Sequence, residues 1–162
     1  MERVSKINYY LDIAQTVAKR CTCLRKQYGA VIVKDDSIVS TGYNGAPRGR
    51  KNCTDLNFCM RDKLNIPRGE RYEMCRSIHA EANAIIAASR EEMLGSTLYM
   101  ACVDPKTGEL VPDTSCCAMC KRQVINAGIA RVVVRDTPEE YRIIELSYWI
   151  TDDDSLSGQF GY

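Results

Sequence analysis

Residues 116–136 read CCAMCKRQVINAGIARVVVRD, which predicts a helix followed directly by a buried strand. Cys117 and Cys120 stand three residues apart at the start of the helix, so their side chains share one helical face. Gly128 ends the helix at its C′ position, where glycine readily takes the left-handed backbone conformation. The β-branched run that follows, residues 129–134, is typical of a buried strand. A helix that leads into a buried strand in this way indicates an α/β protein.

The rest of the chain alternates helical and extended patterns around this stretch. An amphipathic helix is predicted over residues 5–20, and a β-hairpin over 29–45 with its turn at Lys34–Ser37. An alanine-rich helix follows from Ser77, and then a short strand at residues 96–102. This order predicts an α/β fold in which helices cover both faces of a central sheet.

The domain organisation is expected to be simple, because 162 residues suffice for one buried core. We predict a single domain over residues 1–150, with an irregular, basic, cysteine-bearing insert at about 46–77. A polar, flexible tail is predicted at 151–162. The last element of the domain is predicted to be a helix over residues 137–150, with Thr137 as its N-cap.

Composition narrows the classes of function. The chain has 22 basic and 21 acidic residues, and a formal net charge of +1 argues against nucleic acid as a partner. No apolar run approaches the ~20 residues that a membrane span needs. The charged start, MERVSKINYYLDIAQ, lacks the apolar block of a signal peptide. We therefore expect a cytoplasmic protein with no membrane partner.

The cysteine content points to metal or redox chemistry. Nine cysteines form an odd set, and disulfides are disfavoured in a reduced compartment. The chain has one histidine, His79, so any site that requires an imidazole must use it.

Two helix starts together predict a catalytic zinc site. His79, Cys117 and Cys120 offer three protein ligands and leave the fourth tetrahedral position for water, as in catalytic zinc sites. Glu81 stands two residues beyond His79, about 200° round a helix, so it need not ligate the same ion. It can instead carry protons to and from the water that zinc activates. This combination predicts hydrolytic removal of an amine from an aromatic ring, with Glu81 as the catalytic residue.

Two other interpretations fit parts of the pattern. A lone Cys-x-x-Cys at a helix start is also typical of a thioredoxin-like redox pair. A non-catalytic zinc-binding module, in which the metal only stabilises the fold, would likewise use His79 and the cysteines. Neither alternative has a use for a proton-carrying carboxylate at Glu81.

The motifs also resemble the cytidine and deoxycytidylate deaminase superfamily, whose signature is H-x-E…P-C-x-x-C. The resemblance rests on CLRKQYGAVIVKDDSIVSTGYNGAPRG (residues 23–49), IHAEANAII (78–86) and CAMCKRQVINAGIARVV (117–133), and it is strongest to the deoxycytidylate branch. It implies a three-layer α/β/α cytidine deaminase-like fold with a central mixed sheet. It also implies hydrolytic deamination of deoxycytidine monophosphate (dCMP) to deoxyuridine monophosphate (dUMP) with zinc as cofactor. One departure is Cys116, which replaces the family's proline.

The resemblance further implies substrate-binding roles and partners. Asn44 would contact the pyrimidine, and Ala80 would line the substrate site. A nucleotide also needs a partner for its phosphate, and Arg48 is the candidate because it follows Asn44 closely. Arg90 matches an arginine associated with the response to nucleotides. A nucleotide substrate, a homo-oligomer and regulation by deoxycytidine and thymidine triphosphates are implied as well. The alternative is a zinc deaminase that acts on a nucleoside, a free base or a tRNA adenosine.

A second zinc is predicted from the remaining cysteines. Cys53, Cys59 and Cys75 lie in the insert, and a structural zinc site requires four ligands. Cys23 is the fourth candidate, because it matches a cysteine that holds a second zinc in some deoxycytidylate deaminases. The alternative is that these four cysteines are unpaired thiols.

Overall fold

Five strands form one mixed sheet in the computed structural model of the protein, which describes residues 1–153. The strands are β1 (Gln27–Lys34), β2 (Ser37–Tyr43), β3 (Thr97–Val103), β4 (Arg131–Arg135) and β5 (Tyr141–Glu145). Their order across the sheet is β2-β1-β3-β4-β5. Strands β3 and β4 are parallel, whereas each of the other neighbouring pairs is antiparallel. A parallel pair needs a crossover connection, and residues 104–130 supply it.

Helices cover both faces of this sheet, as the sequence predicts. The α-helices within residues 1–153 are α1 (Lys6–Ala18), α2 (Cys53–Leu56), α3 (Met60–Lys63), α4 (Ala80–Ile86), α5 (Arg90–Met93), α6 (Ala118–Ala127) and α7 (Leu146–Thr151). Helix α1 packs on one face, and α4, α6 and α7 pack on the other. The prediction of a three-layer α/β/α fold with a central mixed sheet is thus confirmed. Measured against the length and hydropathy that a bilayer span requires, each helix in this part of the chain falls short.

Alternation along the central strands produces the two cores. Val31 of β1 faces the α1 side and its neighbour Ile32 faces the α4 and α6 side, because successive side chains of a strand point in opposite directions. In β3, Tyr99 likewise faces the α1 side and Met100 faces the α4 and α6 side. Burial on both faces explains why these strands read as continuous apolar runs rather than alternating ones.

The predicted final helix over residues 137–150 is wrong in its first half, which is strand β5. The backbone of β5 pairs antiparallel with β4, from Tyr141 opposite Arg135 to Glu145 opposite Arg131, and so satisfies the hydrogen-bonding groups of β4. Thr137 does not cap a helix. Its hydroxyl oxygen accepts from the backbone N–H of Glu140 at 2.9 Å and so closes the turn between β4 and β5. Only the second half of the segment is helical, as α7.

The alanine-rich helix is also shorter than the sequence predicts. His79, rather than Ser77, occupies the N-cap position of α4, which ends at Ile86. Ser89 then starts α5 with its own capping box, in which its side chain accepts from the backbone of Glu92. A local side-chain bond therefore divides the segment into two helices.

The insert is joined to the sheet at both of its ends. Gly45 and Ile78 exchange backbone hydrogen bonds of 3.2 and 2.8 Å, so the chain leaves and re-enters the fold at one place. Between them lie α2, α3 and a 3₁₀ turn at Tyr72–Met74.

Ordered contacts continue beyond residue 150, where the flexible tail was predicted to begin. Thr151 is the last residue of α7, and the carboxylate of Asp153 forms a 2.6 Å ion pair with Lys121. The rest of the predicted tail, residues 154–162, lies outside the described residues.

Candidate active site

Three side chains from two helix starts converge at one point. His79 is the N-cap residue of α4, and Cys117 is the N-cap residue of α6, with Cys120 one turn later. The His79 Nδ1 atom lies 3.5 Å from the Cys117 Sγ atom and 3.4 Å from the Cys120 Sγ atom. The three potential ligand atoms all lie within 4.8 Å of one another. The structure thus brings together the three residues that the sequence predicts as ligands.

Close packing of α4 on the sheet fixes the position of His79. A Cβ atom at Gly42 of β2 would lie only 2.3 Å from the carbonyl oxygen of Ala80, so glycine is required for the helix to approach this closely. On its other side α4 packs against α6, where Ala84 and Val124 are fully buried. The starts of α4 and α6 are therefore held side by side.

The spacing of these three side chains fits zinc. Zinc–sulfur bonds of about 2.3 Å and zinc–nitrogen bonds of about 2.0–2.1 Å in a tetrahedron place ligand atoms about 3.5 Å apart. The distances of 3.4 and 3.5 Å from His79 to the two thiols match this value. One imidazole and two thiols also form the donor set of a catalytic site, in which one position stays open.

Hydrogen bonds among the three ligand side chains shift their pKa values. Burial lowers the pKa of His79, but hydrogen bonds to Cys117 and Cys75 outweigh it and raise that pKa to about 10. The hydrogen bond from Cys120 to Cys117 is the main reason why the pKa of Cys117 falls to about 4. The same bond, together with burial, raises the pKa of Cys120. At neutral pH the zinc-free protein thus holds an imidazolium, a thiolate and a thiol.

Zinc binding to chelator-treated protein should therefore release about two protons at pH 7, one from His79 and one from Cys120. The apparent affinity for zinc should rise steeply with pH, because both protons leave before the ligands can bind. Calorimetry of the Glu81→Gln variant in buffers of different ionisation enthalpy would count these protons without a contribution from Glu81. A zinc affinity that is independent of pH between pH 6 and pH 8 would contradict this assignment.

Glu81 lies beside the ligands and is almost fully buried. Its residue is 4% exposed, in the first turn of α4. Burial raises the pKa of its carboxyl group above the usual range, and the charge of His79 opposes this rise. A buried carboxyl group beside the ligands is placed to act as both general base and general acid.

Cys116 takes no part in the ligand group. Its thiol is buried, lies 3.4 Å from the Met100 sulfur, and interacts with the Glu81 carboxyl group. Burial and the negative charge of Glu81 raise the pKa of Cys116, so it stays a neutral thiol. It therefore packs against Met100 and the Glu81 carboxyl group.

A cleft of about 970 Å³ opens above this group. Its lining includes His79, Ala80, Glu81 and Cys117. Asn44 also lines it, and its amide group bridges the backbone of β1. The Asn44 oxygen accepts from the Tyr28 N–H at 2.8 Å, and its nitrogen donates to the Lys26 carbonyl oxygen at 2.9 Å. Asn44 thus positions one wall of the cleft through its hydrogen bonds to the backbone.

Two of the predicted substrate residues lie elsewhere. Arg48 and Arg90 are exposed and are not among the residues that line the cleft. Arg90 is the first residue of α5, rather than the end of the His79 helix, and its Nε atom donates to the Asn126 carbonyl oxygen at 3.4 Å. The structure offers no contact between either arginine and the predicted zinc site.

The four cysteines of the predicted second zinc site lie near one another. Burial is the main cause of the raised pKa of Cys53, and the charges of Cys23, Cys75 and Cys59 add to it. Within residues 1–153, however, only the His79 group has its ligand atoms within 4.8 Å of one another. Cys75 also shares a hydrogen bond with His79, which links the insert to the predicted zinc site.

An aromatic and a cationic side chain that sequence reasoning missed also line the cleft. The Tyr72 ring meets the His79 ring edge-on, with centroids 4.8 Å apart. The Arg61 guanidinium lies over the Tyr72 ring, 4.5 Å from the centroid of that ring. Neither residue belongs to a motif. The one local signal was the Pro67-x-Gly69 turn pattern, which placed a turn in the insert but not these contacts.

Comparison with known proteins gives consistent results. Residues 4–136 match the family described as the cytidine and deoxycytidylate deaminase zinc-binding region. The deoxycytidylate deaminase of Mycobacterium phage D29 is 36% identical over 138 residues, which cover 82% of this chain and 96% of the phage protein. The crystal structure of the apo dCMP deaminase from cyanophage S-TIM5 has a TM-score of 0.58 at 25% identity, covering 85% of this chain and 88% of that one.

Not every relative has the same extent as this chain. The deoxycytidylate deaminase of Schizosaccharomyces pombe is 33% identical over 131 residues, which cover 81% of this chain but 37% of the yeast protein. With a family match over residues 4–136, the chain belongs to the cytidine and deoxycytidylate deaminase zinc-binding family.

Proposed function

We propose that this chain catalyses the hydrolytic deamination of dCMP to dUMP and ammonia. The observation that carries the proposal is the buried Glu81 beside the group of His79, Cys117 and Cys120, at the base of a nucleotide-sized cleft. Relatives named deoxycytidylate deaminase support the choice of substrate. Those three residues are the proposed zinc ligands, and Glu81 is the proposed catalytic residue.

Zinc, when bound by His79, Cys117 and Cys120, would supply a water of lowered pKa next to the substrate. Glu81 would accept a proton from the attacking water, and the oxygen of the water would add to the amine-bearing carbon of the pyrimidine. Glu81 gives this proton to the ring nitrogen and carries the second one to the departing amine. The carbon–nitrogen bond then breaks and ammonia leaves. Both protons of the water are thereby accounted for, and the carbonyl oxygen of the product comes from water.

The site also argues against the competing functions. A metal that only stabilises the fold needs no buried carboxyl group at its open side, so Glu81 favours an enzyme. A net charge of +1 is a weak basis for tRNA binding. Asn44 and Ala80 remain the proposed contacts to the base. A homo-oligomer, triphosphate effectors and a cytoplasmic location remain predictions.

The proposed function can be tested with a panel of substrates. Ammonia release should be fastest with dCMP, slower with deoxycytidine and cytidine monophosphate, and absent with adenosine monophosphate. A chelator should abolish the activity and added zinc should restore it. Preference for the nucleoside, or for adenosine monophosphate, would contradict the assignment to dCMP.

We further propose a structural zinc on Cys23, Cys53, Cys59 and Cys75. The proposal is supported by the mutual electrostatic effects of these cysteines around Cys53. Small shifts of the insert would be required for the four thiols to bind one ion. The insert is joined to the sheet at residues 45 and 78.

Elemental analysis of the purified protein should therefore give about two zincs per chain. The Cys53→Ser/Cys59→Ser variant should retain about one, because only the catalytic ion would remain. Cys102→Ser is a matched control, since Cys102 is buried at the end of β3 and is not a proposed ligand. A single zinc in undepleted wild-type protein would refute the second site.

A further inference from the structure

The insert places a turn with an arginine at its corner beside the cleft. Residues 67–70 form a β-turn in which the Glu70 N–H donates to the Pro67 carbonyl oxygen at 3.3 Å. Gly69 occupies the third position with φ of +85°, the left-handed value that a type II turn requires there. Arg68 is the second residue of this turn, and its side chain lines the cleft.

A second arginine holds the base of the turn. Arg61 is 6% exposed, and its Nη2 atom donates to the carbonyl oxygens of Pro67 at 2.7 Å and Glu70 at 2.9 Å. These are the first and last residues of the turn, so one guanidinium fixes both of its ends. Burying a charged guanidinium costs free energy unless other groups stabilise the charge. Here two carbonyl oxygens and the Tyr72 ring do so in place of a carboxylate.

These contacts link the turn to the reaction centre. Arg61 lies on the Tyr72 ring, and the Tyr72 ring abuts His79 at 4.8 Å between centroids. The turn that carries Arg68 is thus connected to His79 through the side chains of Arg61 and Tyr72.

Arg68 is also available to a ligand. Within residues 1–153 its side chain forms no hydrogen bond or ion pair, whereas the neighbouring Arg25 lies 3.4 Å from the Asp62 carboxylate. Burial raises the pKa values of Tyr28 and Tyr72, and the charge of Arg68 opposes both increases. Its field therefore reaches side chains from β1 and from the insert alike.

We propose that Arg68 binds the 5′-phosphate of the substrate and that Arg61 is the positioning residue that holds the Pro67–Glu70 turn in place. This inference rests on the proposed deamination of dCMP and assigns its phosphate contact. A planar guanidinium can donate two parallel hydrogen bonds to a phosphate, which a lysine cannot. The contact would select nucleotides over nucleosides at the same zinc site. Arg48, the phosphate contact predicted from the sequence, lies outside the lining of the cleft.

Steady-state kinetics of Arg68→Gln with dCMP and with deoxycytidine tests the assignment. The kcat/KM for dCMP should fall by about ten- to a hundredfold, the worth of a charge-assisted hydrogen bond, while that for deoxycytidine stays unchanged. Inorganic phosphate should inhibit the wild-type enzyme competitively and should inhibit Arg68→Gln more weakly. Arg71→Gln is the matched control, because Arg71 lies on the same segment and pairs with Glu73 outside the cleft.

Two further variants test the positioning role. Arg61→Lys keeps the charge but loses the planar guanidinium that stacks on Tyr72 and places Nη2 against both carbonyl oxygens, so it should raise the KM for dCMP without changing kcat for deoxycytidine. Gly69→Ala strains the turn at φ of +85° without meeting any atom within 4 Å, and it should have the same selective effect. An unchanged ratio of dCMP to deoxycytidine activity in Arg68→Gln would overturn the phosphate contact. Failure of the wild-type enzyme to use dCMP would instead overturn the proposed function.

Discussion

Replacing His79 by alanine is expected to remove both the catalytic zinc and the activity. Cys117 and Cys120 alone would leave two protein ligands, and a catalytic zinc site has three. The loss should exceed the about 10²–10⁴-fold that removal of an acid–base group costs, because the activated water and its proton carrier fail together. Zinc content by elemental analysis and ammonia release from dCMP are the two measurements.

Cys116→Ala provides the control for the metal site. Cys116 neighbours Cys117 in sequence but packs against Met100, so this variant should keep its catalytic zinc. Removing one buried sulfur atom should lower the free energy of unfolding but leave the zinc content unchanged. If Cys116→Ala lost zinc while Cys117→Ala retained it, the ligand assignment would be refuted.

Replacing Glu81 by glutamine should separate metal binding from catalysis. Glutamine has nearly the same shape but cannot carry the proton between water, ring nitrogen and amine. Zinc content should stay at the wild-type level, whereas kcat should fall by about 10²–10⁴-fold or more. The KM for dCMP should change little, because Glu81 acts on the transition state rather than on binding.

A change of the same kind outside the cleft controls for the lost charge. Glu73 is exposed and forms an ion pair with Arg71 at 3.1 Å, so Glu73→Gln should leave turnover unchanged. Turnover close to wild type in Glu81→Gln, with zinc bound, would mean that another group carries the proton.

The site could be predicted from the sequence where its parts are local. Cys117 and Cys120 are one helical turn apart, and His79 and Glu81 are two residues apart, so residue type and spacing alone suggest their roles. The contact between the two helix starts depends on the tertiary structure. It could still be predicted, because His79 is the single histidine and no other imidazole could join the cysteines.

The errors came from interactions that residue spacing does not encode. The segment from Tyr141 to Glu145 contains a tyrosine and two isoleucines, which favour strands, and the edge of β4 offers it a row of hydrogen bonds. The contacts of Arg61 and Tyr72 depend on how the insert folds back over the cleft. Arg48, predicted because it follows Asn44 closely in sequence, is exposed, and its role stays a prediction.

The hydrogen bonds between Gly45 and Ile78 have an evolutionary consequence. Because the two ends of the insert are hydrogen-bonded to each other, the sheet and the starts of α4 and α6 keep the same geometry whatever the length of the insert. Doubling the length of a loop closed in this way costs only about 0.6 kcal/mol in chain entropy. Residues 46–77 can therefore be exchanged for shorter or longer segments while His79, Glu81, Cys117 and Cys120 stay in place. Selection can thus change which molecules are recognised without disturbing the reaction.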